Sequence, residues 1–368
     1  MKKFSKTLLK ILKWIGIAFL AIIVILLIVQ FIGKKINNRT PEGGINETMY
    51  IDVNGQEQWI SIYGEDKNNP VMLNLHGGPG QASSSIDYVV LRKLAKDYTI
   101  VDWDQRNCGK TWTHDAKDDP LTAEILRSDI MEVVKYVLDY TGKEKLTLLG
   151  NSWGTLYGCD FALNHPEYVE CIISTSQVVD AAVSDAAIRE LFLEWSENDP
   201  EFHEMAEKFD PNLNYTKENT EVYFKLAEKY TLDGHIPVDE NPEGDVNMVT
   251  AMFFNPYYSI GDHIGTFRYL LAKNGASMYM EFMYGDCYKS FTLAGRTEYE
   301  MPIYIIEGNM DYVALHTVAK DYYDQISAPD KDFIYIDGGH NATFMHSEEL
   351  AGYVHDIVER QKALRSEQ

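Results

Sequence analysis

The first long feature of the pattern is an unbroken apolar run. Trp14 to Gly33, WIGIAFLAIIVILLIVQFIG, holds one polar residue, Gln30. At about 1.5 Å per residue, a helix of that length reaches about 30 Å, the thickness of a hydrocarbon core. Lys2, Lys3, Lys6, Lys10 and Lys13 precede the run; Lys34, Lys35 and Arg39 follow it. The excess on the amino-terminal side assigns that end to the cytoplasm. A cleaved signal peptide has a shorter apolar region that ends in small residues; this run ends in QFIGKK. The reading is an uncleaved single-pass membrane anchor with the remainder extracytoplasmic. It predicts a basic cytoplasmic segment over 1–13, a transmembrane helix over 14–33 and a polar linker over 34–47.

Beyond the linker the period shortens. TMYIDVNGQEQWISIYG reads as two strands joined at Asn54-Gly55, a tight-turn pair. VMLNL (71–75) is a continuous apolar run, as in a buried parallel strand. A helix over 86–96, a strand over 98–104 and a helix over 121–140 follow. The last has Leu126, Ile130, Val133, Val134 and Val137 at helical spacing. A strand (145–150), a helix (153–165) and a strand (170–176) continue the alternation. From 178 to 297 the signals are helical and irregular. Alternation resumes with a strand (302–308), a helix (314–326), a strand (333–339) and a helix (347–364). The pattern predicts an α/β fold, a doubly wound and mostly parallel sheet. Its core covers 48–177 and 298–368, with a helical cap over 178–297 inserted between them.

Charge narrows the partners. Residues 1–40 hold eight Lys or Arg and no acid, so the other 328 carry 25 bases against 56 acids. A domain this acidic repels nucleic acid and anionic lipid surfaces. The first reading of this excess is a solubility device; the alternative is a bias toward cationic substrates, such as peptides with a free amino terminus. Cys108, Cys159, Cys171 and Cys287 show no CxxC spacing; a Cys159–Cys171 bridge stays open. The histidines are scattered and no HExxH, phosphate loop or dinucleotide fingerprint occurs, so neither metal nor cofactor is expected.

The chemistry lies in three loops. GNSWG (150–154) follows a strand and precedes a helix, the setting of a G-x-S-x-G nucleophile elbow. Its serine, Ser152, needs a base, and the base needs an acid to orient it. The acid and then the histidine are expected after later strands. PIYIIEGNMD delivers Asp311 and FIYIDGGH delivers His340. The competitors fit less well. His316 and His346 fall in predicted helices, and His76 precedes the elbow. Glu307 lies inside its strand, and Asp337 precedes the Gly-Gly loop. An oxyanion hole needs two N–H donors. Trp153, after the nucleophile, is one; the loop HGGPG (76–80) offers Gly78, with Gly77 next.

HGGPG, DQRNCGK (104–110) and GNSWG resemble the oxyanion loop, the DQRGxGxS segment and the GGSWG elbow of the proline iminopeptidase group of α/β-hydrolases. GNMD and GGH sit where that group has its acid and base. The resemblance covers roughly 48–176 and 300–362. It implies a serine hydrolase with a helical cap that releases an amino-terminal residue, often proline, from short peptides. It also implies that acidic cap residues hold the free ammonium. Asn107, Lys110, Thr111 and Asn151 depart from the group's residues and are expected to shape the mouth of the site. The alternative is an esterase or amide hydrolase of the same fold with a small non-peptide substrate.

The cap offers many acids for the ammonium, among them Glu194, Glu201, Glu204, Glu207, Glu240 and Glu243. In MYMEFMYGD (278–286) Glu281 is flanked by apolar residues and is the best single choice. The aromatics and methionines of that stretch and of AMFFNPYYS (251–259) pack the cap or line an apolar pocket.

Overall fold

The computed structural model describes residues 2–213, 216–232, 234–236 and 244–366. The apolar run forms most of α1 (Lys2–Asn37). The first half of the core then runs β1 (Ile45–Val53), β2 (Gln56–Gly64), β3 (Val71–Leu75), α2 (Tyr88–Leu94), β4 (Thr99–Trp103), α3 (Gly109–Asp115), α4 (Ala123–Thr141), β5 (Leu146–Asn151), α5 (Trp153–Asn164) and β6 (Val169–Thr175). The segment after β6 is helical: α6 (Ala181–Trp195), α7 (Pro200–Lys208), α8 (Lys217–Leu232), α9 (Met248–Phe254), α10 (Ile260–Tyr269), α11 (Ala276–Tyr284) and α12 (Asp286–Lys289). The core closes with β7 (Ile303–Gly308), α13 (His316–Gln325), β8 (Lys331–Ile336), α14 (Ala342–Met345) and α15 (Ser347–Ser366).

Among the described residues, eight strands form one sheet in the order β1-β2-β4-β3-β5-β6-β7-β8. The β1–β2 and β2–β4 pairs are antiparallel and the rest are parallel. β3, β4 and β7 are buried throughout, as strands covered by helices on both faces must be. One apolar cluster joins a face of the sheet to α4 and α5, and a second joins the other face to α2 and α15. The cap has a core of its own around Ile188, Phe192, Phe209 and Tyr230. Because β3 lies between β4 and β5, the chain leaves the ends of β3 and β5 in opposite directions. That opens a crevice at their carboxyl ends.

Four details differ from the sequence reading. The helix extends four residues past Gly33, to Asn37, so the polar connection to β1 is only 38–44. α3 was not expected, because GKTWTHD carries no apolar period. β8 lies earlier than 333–339: it begins at Lys331 and stops at Ile336, and Gly338 turns the chain with φ +132°. The bridge that the sequence left open does not form: Cys159 and Cys171 are buried on α5 and β6 and are not joined to each other.

α1 is long and apolar enough to span a membrane, and its last turns rest on the cap. Gln30 Nε2 donates to Phe253 O at 3.1 Å and Asn37 Nδ2 to Phe254 O at 2.9 Å. Lys34 Nζ donates to Tyr258 O. Gly33 meets the Phe254 ring so closely that a Cβ would fall 2.2 Å from it.

Candidate active site

The elbow depends on its glycines. A Cβ on Gly154 would lie 1.9 Å from the Leu75 carbonyl oxygen, and one on Gly150 would lie 2.6 Å from Gly154 O. With both side chains absent, α5 starts hard against the end of β3. Ser152 is held between strand and helix at φ +50°, a region costly for a residue with a Cβ.

The structure brings Ser152, His340 and Asp311 together. His340 Nε2 lies 3.1 Å from Ser152 Oγ, and His340 Nδ1 lies 2.8 Å from Asp311 Oδ2. Asp311 is fully buried, and its Oδ1 accepts from Val313 N and Ala314 N at 2.8 and 2.9 Å. A buried carboxylate beside Nδ1 places the ring proton there and leaves Nε2 as an acceptor for the hydroxyl proton.

The loops that carry acid and base are clasped to each other. Asn309 Nδ2 donates to Asp337 Oδ1 at 2.9 Å, and Gly338 N donates to Asn309 Oδ1 at 3.1 Å. Ser176 Oγ donates to His340 O at 2.7 Å. Glu307 is fully buried behind Asp311, and Gln177 N donates to its Oε2 at 2.8 Å. Burial, followed by the nearby Asp311 charge, pushes the Glu307 carboxyl well above its usual range. His316 opens α13 and His346 lies between α14 and α15; neither is bonded to Ser152.

The glycine loop backs onto the serine. A Cβ on Gly77 would lie 3.2 Å from Ser152 Cβ and 3.1 Å from Asn151 Oδ1. Gly78 has φ +120° and no backbone acceptor for its N–H among the described residues. Trp153 is the first residue of α5, so its N–H has no partner within the helix.

Sequence order set His76 aside, yet it braces this loop. Its buried ring accepts from Gln105 N at Nε2 (3.2 Å) and lies 2.8 Å from Gly77 O at Nδ1. Burial lowers its pKa to about 4, so it is neutral at physiological pH, with Nδ1 as the donor. Gln105 ties the two loops together. Its amide nitrogen donates to His76 O and its oxygen accepts from Trp153 Nε1, both at 3.2 Å. The next residue, Arg106, makes a buried paired contact with Asp129, at 2.5 and 2.8 Å. The segment DQRNCGK is therefore a brace. The sequence signals for it were its likeness to the DQRGxGxS segment and its position directly after β4.

This overturns one expectation. Asn107 is buried and binds Gln56 and the Lys117 backbone. Lys110 pairs with Asp262 at 3.0 Å, and buried Thr111 bonds Asp104 O. These three hold the brace and cap rather than the mouth of the site. Asn151 alone borders the loop of Gly77.

A cavity of about 530 Å³ opens between the core loops of Gly78 to Ala82 and Gly109 on one side and the cap on the other. Phe209, Phe224, Met280 and Met283 make it apolar. Asp185 is its one charged lining residue among those described. Burial, with the charge of Asp180 added, raises the Asp185 carboxyl to about 7. Tyr223, also in the wall, feels the charge of this acid and that of Asp311. Its hydroxyl is pushed up to about 12 by burial and then by the charges of Asp185 and Asp311. Glu281 is elsewhere: it is exposed and lines a separate cavity with Asp118 and Lys273. Glu194, Glu201, Glu204 and Glu207 are exposed, and Glu240 and Glu243 lie outside the described residues.

A family model described as alpha/beta hydrolase fold matches residues 70–347. The probable aminopeptidase YbaC of Bacillus subtilis (strain 168) is 22% identical over 284 residues, 76% of this chain and 86% of its own. A proline iminopeptidase of Heyndrickxia coagulans is 30% identical over 133 residues, 36% of this chain and 43% of its own. That match spans less than half of the relative's length. The solved proline iminopeptidase of Mycobacterium smegmatis superposes with a TM-score of 0.58 at 17% identity, covering 87% of this chain and all of its own. An epoxide hydrolase of Vigna radiata gives 0.55 at 16%, covering 88% and all of its own. At such identities the two solved structures speak for the fold alone.

Proposed function

Since the chain belongs to the α/β-hydrolase family, we propose that it is a membrane-anchored serine aminopeptidase of the proline iminopeptidase type. The observation that carries this reading is the Ser152–His340–Asp311 chain of hydrogen bonds on a strained elbow. Ser152 Oγ attacks the carbonyl carbon of the first peptide bond. His340 takes the hydroxyl proton and passes it to the departing amine, while Asp311 steadies the imidazolium. The oxyanion is met by the N–H groups of Trp153 and Gly78, with Gly77 as the next donor. Water then releases the amino-terminal residue from the acyl-enzyme by the same proton path.

Asp185, rather than Glu281, holds the substrate ammonium in this scheme. It is the charged group in an apolar cavity bounded by the glycine loop. An ammonium bound there favours its ionised form, and the apolar wall receives the side chain. The amino end of α1 is cytoplasmic and the hydrolase faces outward, as its flanking lysines suggest. The apolar lining also favours a second reading, an esterase or amide hydrolase whose acyl group fills the cavity.

The full chain in detergent separates the two. A prolyl anilide, its N-acetylated form and a short-chain aryl ester are compared. We expect the free amine to be cleaved far faster than the acetylated form, and Ser152→Ala to abolish all three reactions. Equal cleavage of both anilides removes the aminopeptidase reading; ester cleavage alone favours the second. Protease added to intact cells should release the hydrolase if it faces outward.

A further inference from the structure

α10 is packed inside out. Its carboxylate, Asp262, pairs with Lys110 at 3.0 Å on the inner side. Gly265 presses on Thr113 of α3, where a Cβ would come within 2.3 Å, and Tyr269 is buried. The outer side carries Ile260, Ile264 and Phe267 and, just past the helix end, Leu271, which are 57%, 57%, 70% and 89% exposed. Their spacing of four, three and four residues puts them in one stripe. A helix facing water has the reverse arrangement. The stretch also escapes the acidity of the domain: residues 247–276 hold one acid, Asp262, and two bases, Arg268 and Lys273.

α1 indicates what covers this face. Gln30 and Gly33, in the apolar run, touch Phe253 and Phe254. Leu27 and Phe31 wall a cleft together with Pro256 and Ile260. That cleft runs on to Lys34, Lys35 and Arg39, and Lys34 donates to Tyr258 O, so the first residue of α10 lies beside the end of the apolar run, where it gives way to lysines. With that run across a bilayer, Ile260 sits at the hydrocarbon boundary and the stripe continues from it.

We propose that α10 is an interfacial helix whose face of Ile260, Ile264, Phe267 and Leu271 lies in the lipid surface beside the anchor. The proposal rests on the membrane-anchor reading. Thr266, Tyr269 and Leu270 of the same segment line the 530 Å³ cavity, so the wall of the substrate cavity is itself seated on lipid. Substrate then reaches the cavity along the membrane surface.

The test uses the full chain in phosphatidylcholine vesicles. Phe267→Cys and, on the last helix, Lys362→Cys are each labelled with an environment-sensitive fluorophore. A lipid carrying a quencher near its headgroup is then added. Vesicle flotation is scored first. The expected result is that both labelled proteins float, that the probe at 267 shifts to the blue and loses most of its emission, and that the probe at 362 keeps its emission. Ile264→Cys should repeat the behaviour of Phe267→Cys. A protein that stays with the soluble fraction overturns the anchor and this inference with it. Floating protein whose probes at 267 and 264 match the one at 362 overturns this inference and leaves the anchor standing.

Discussion

Asp185→Asn separates the proposed roles of the cavity most sharply, because it moves stability and activity in opposite directions. Burial and then Asp180 raise the Asp185 carboxyl to about 7. An acid whose folded pKa exceeds its unfolded value binds its proton more tightly in the folded state. The group therefore costs no stability below the unfolded value near 4, and its cost grows as pH rises through about 7. Three pKa units correspond to about 4 kcal/mol. The side chain is only half-buried at a cavity wall, where solvent screens the charge, so about 1–2 kcal/mol is the working scale. Asparagine keeps the shape without the charge. The variant should gain about 1–2 kcal/mol over the parent at pH 8 and nearly match it at pH 4. Urea unfolding at the two pH values, with an unchanged slope, reads this directly. Activity should fall. A lost hydrogen bond to a charged group is worth about 1.5–3 kcal/mol, or about 10–100-fold in kcat/KM for a free prolyl anilide. Hydrolysis of an aryl ester, which carries no ammonium, should be unchanged. A variant less stable than the parent at pH 8, or one that cleaves the free anilide as fast as the parent, refutes the reasoning.

Further expectations follow from the elbow and its surroundings. Gly154→Ala forces a Cβ toward the Leu75 carbonyl; it should cost about 1–3 kcal/mol in stability and about 100-fold in ester turnover. Gly352→Ala, with open space on α15, should instead add up to about 1 kcal/mol of stability and so raise the melting temperature. Matching melts for the two variants would sink the packing argument. Burial and then the Asp311 charge push the Glu307 carboxyl toward its neutral form, so in Glu307→Gln ester turnover should stay within about twofold of the parent; a tenfold loss would show that the charge matters. Asp129→Ala strands the buried Arg106 guanidinium and should cost about 3–5 kcal/mol, read by thermal melting.

Much of the core was legible because its signals are local. VMLNL became a buried parallel strand, and the helical period over 121–140 became α4. The three residues of the hydrogen-bonded chain were found from loops at strand ends, where neighbours in sequence supply the geometry. The acid proposed to hold an ammonium was harder to choose. Glu281 and Asp185 are both helical acids beside apolar residues, and only the packing of α6 and α11 decides which one faces the cavity. Asn107 and Lys110 were assigned to the mouth for the same reason: their partners, Gln56 and Asp262, lie far along the chain.

The chain's own order of residues determined the long apolar helix, the alternating core and the choice of Ser152, Asp311 and His340. Each follows from runs of apolar residues or from glycines whose missing side chain permits a turn. Tertiary structure alone decided the brace and the cavity. His76, Gln105 and Trp153 meet because β3, β4 and β5 are neighbours in the sheet. Asp185 reaches the cavity below the Gly78 loop because the cap folds back over the sheet. The helical period of α10 was readable, but not the side of it that would be buried. A periodic pattern defines a stripe; which way the stripe faces depends on what the rest of the chain brings into contact with it.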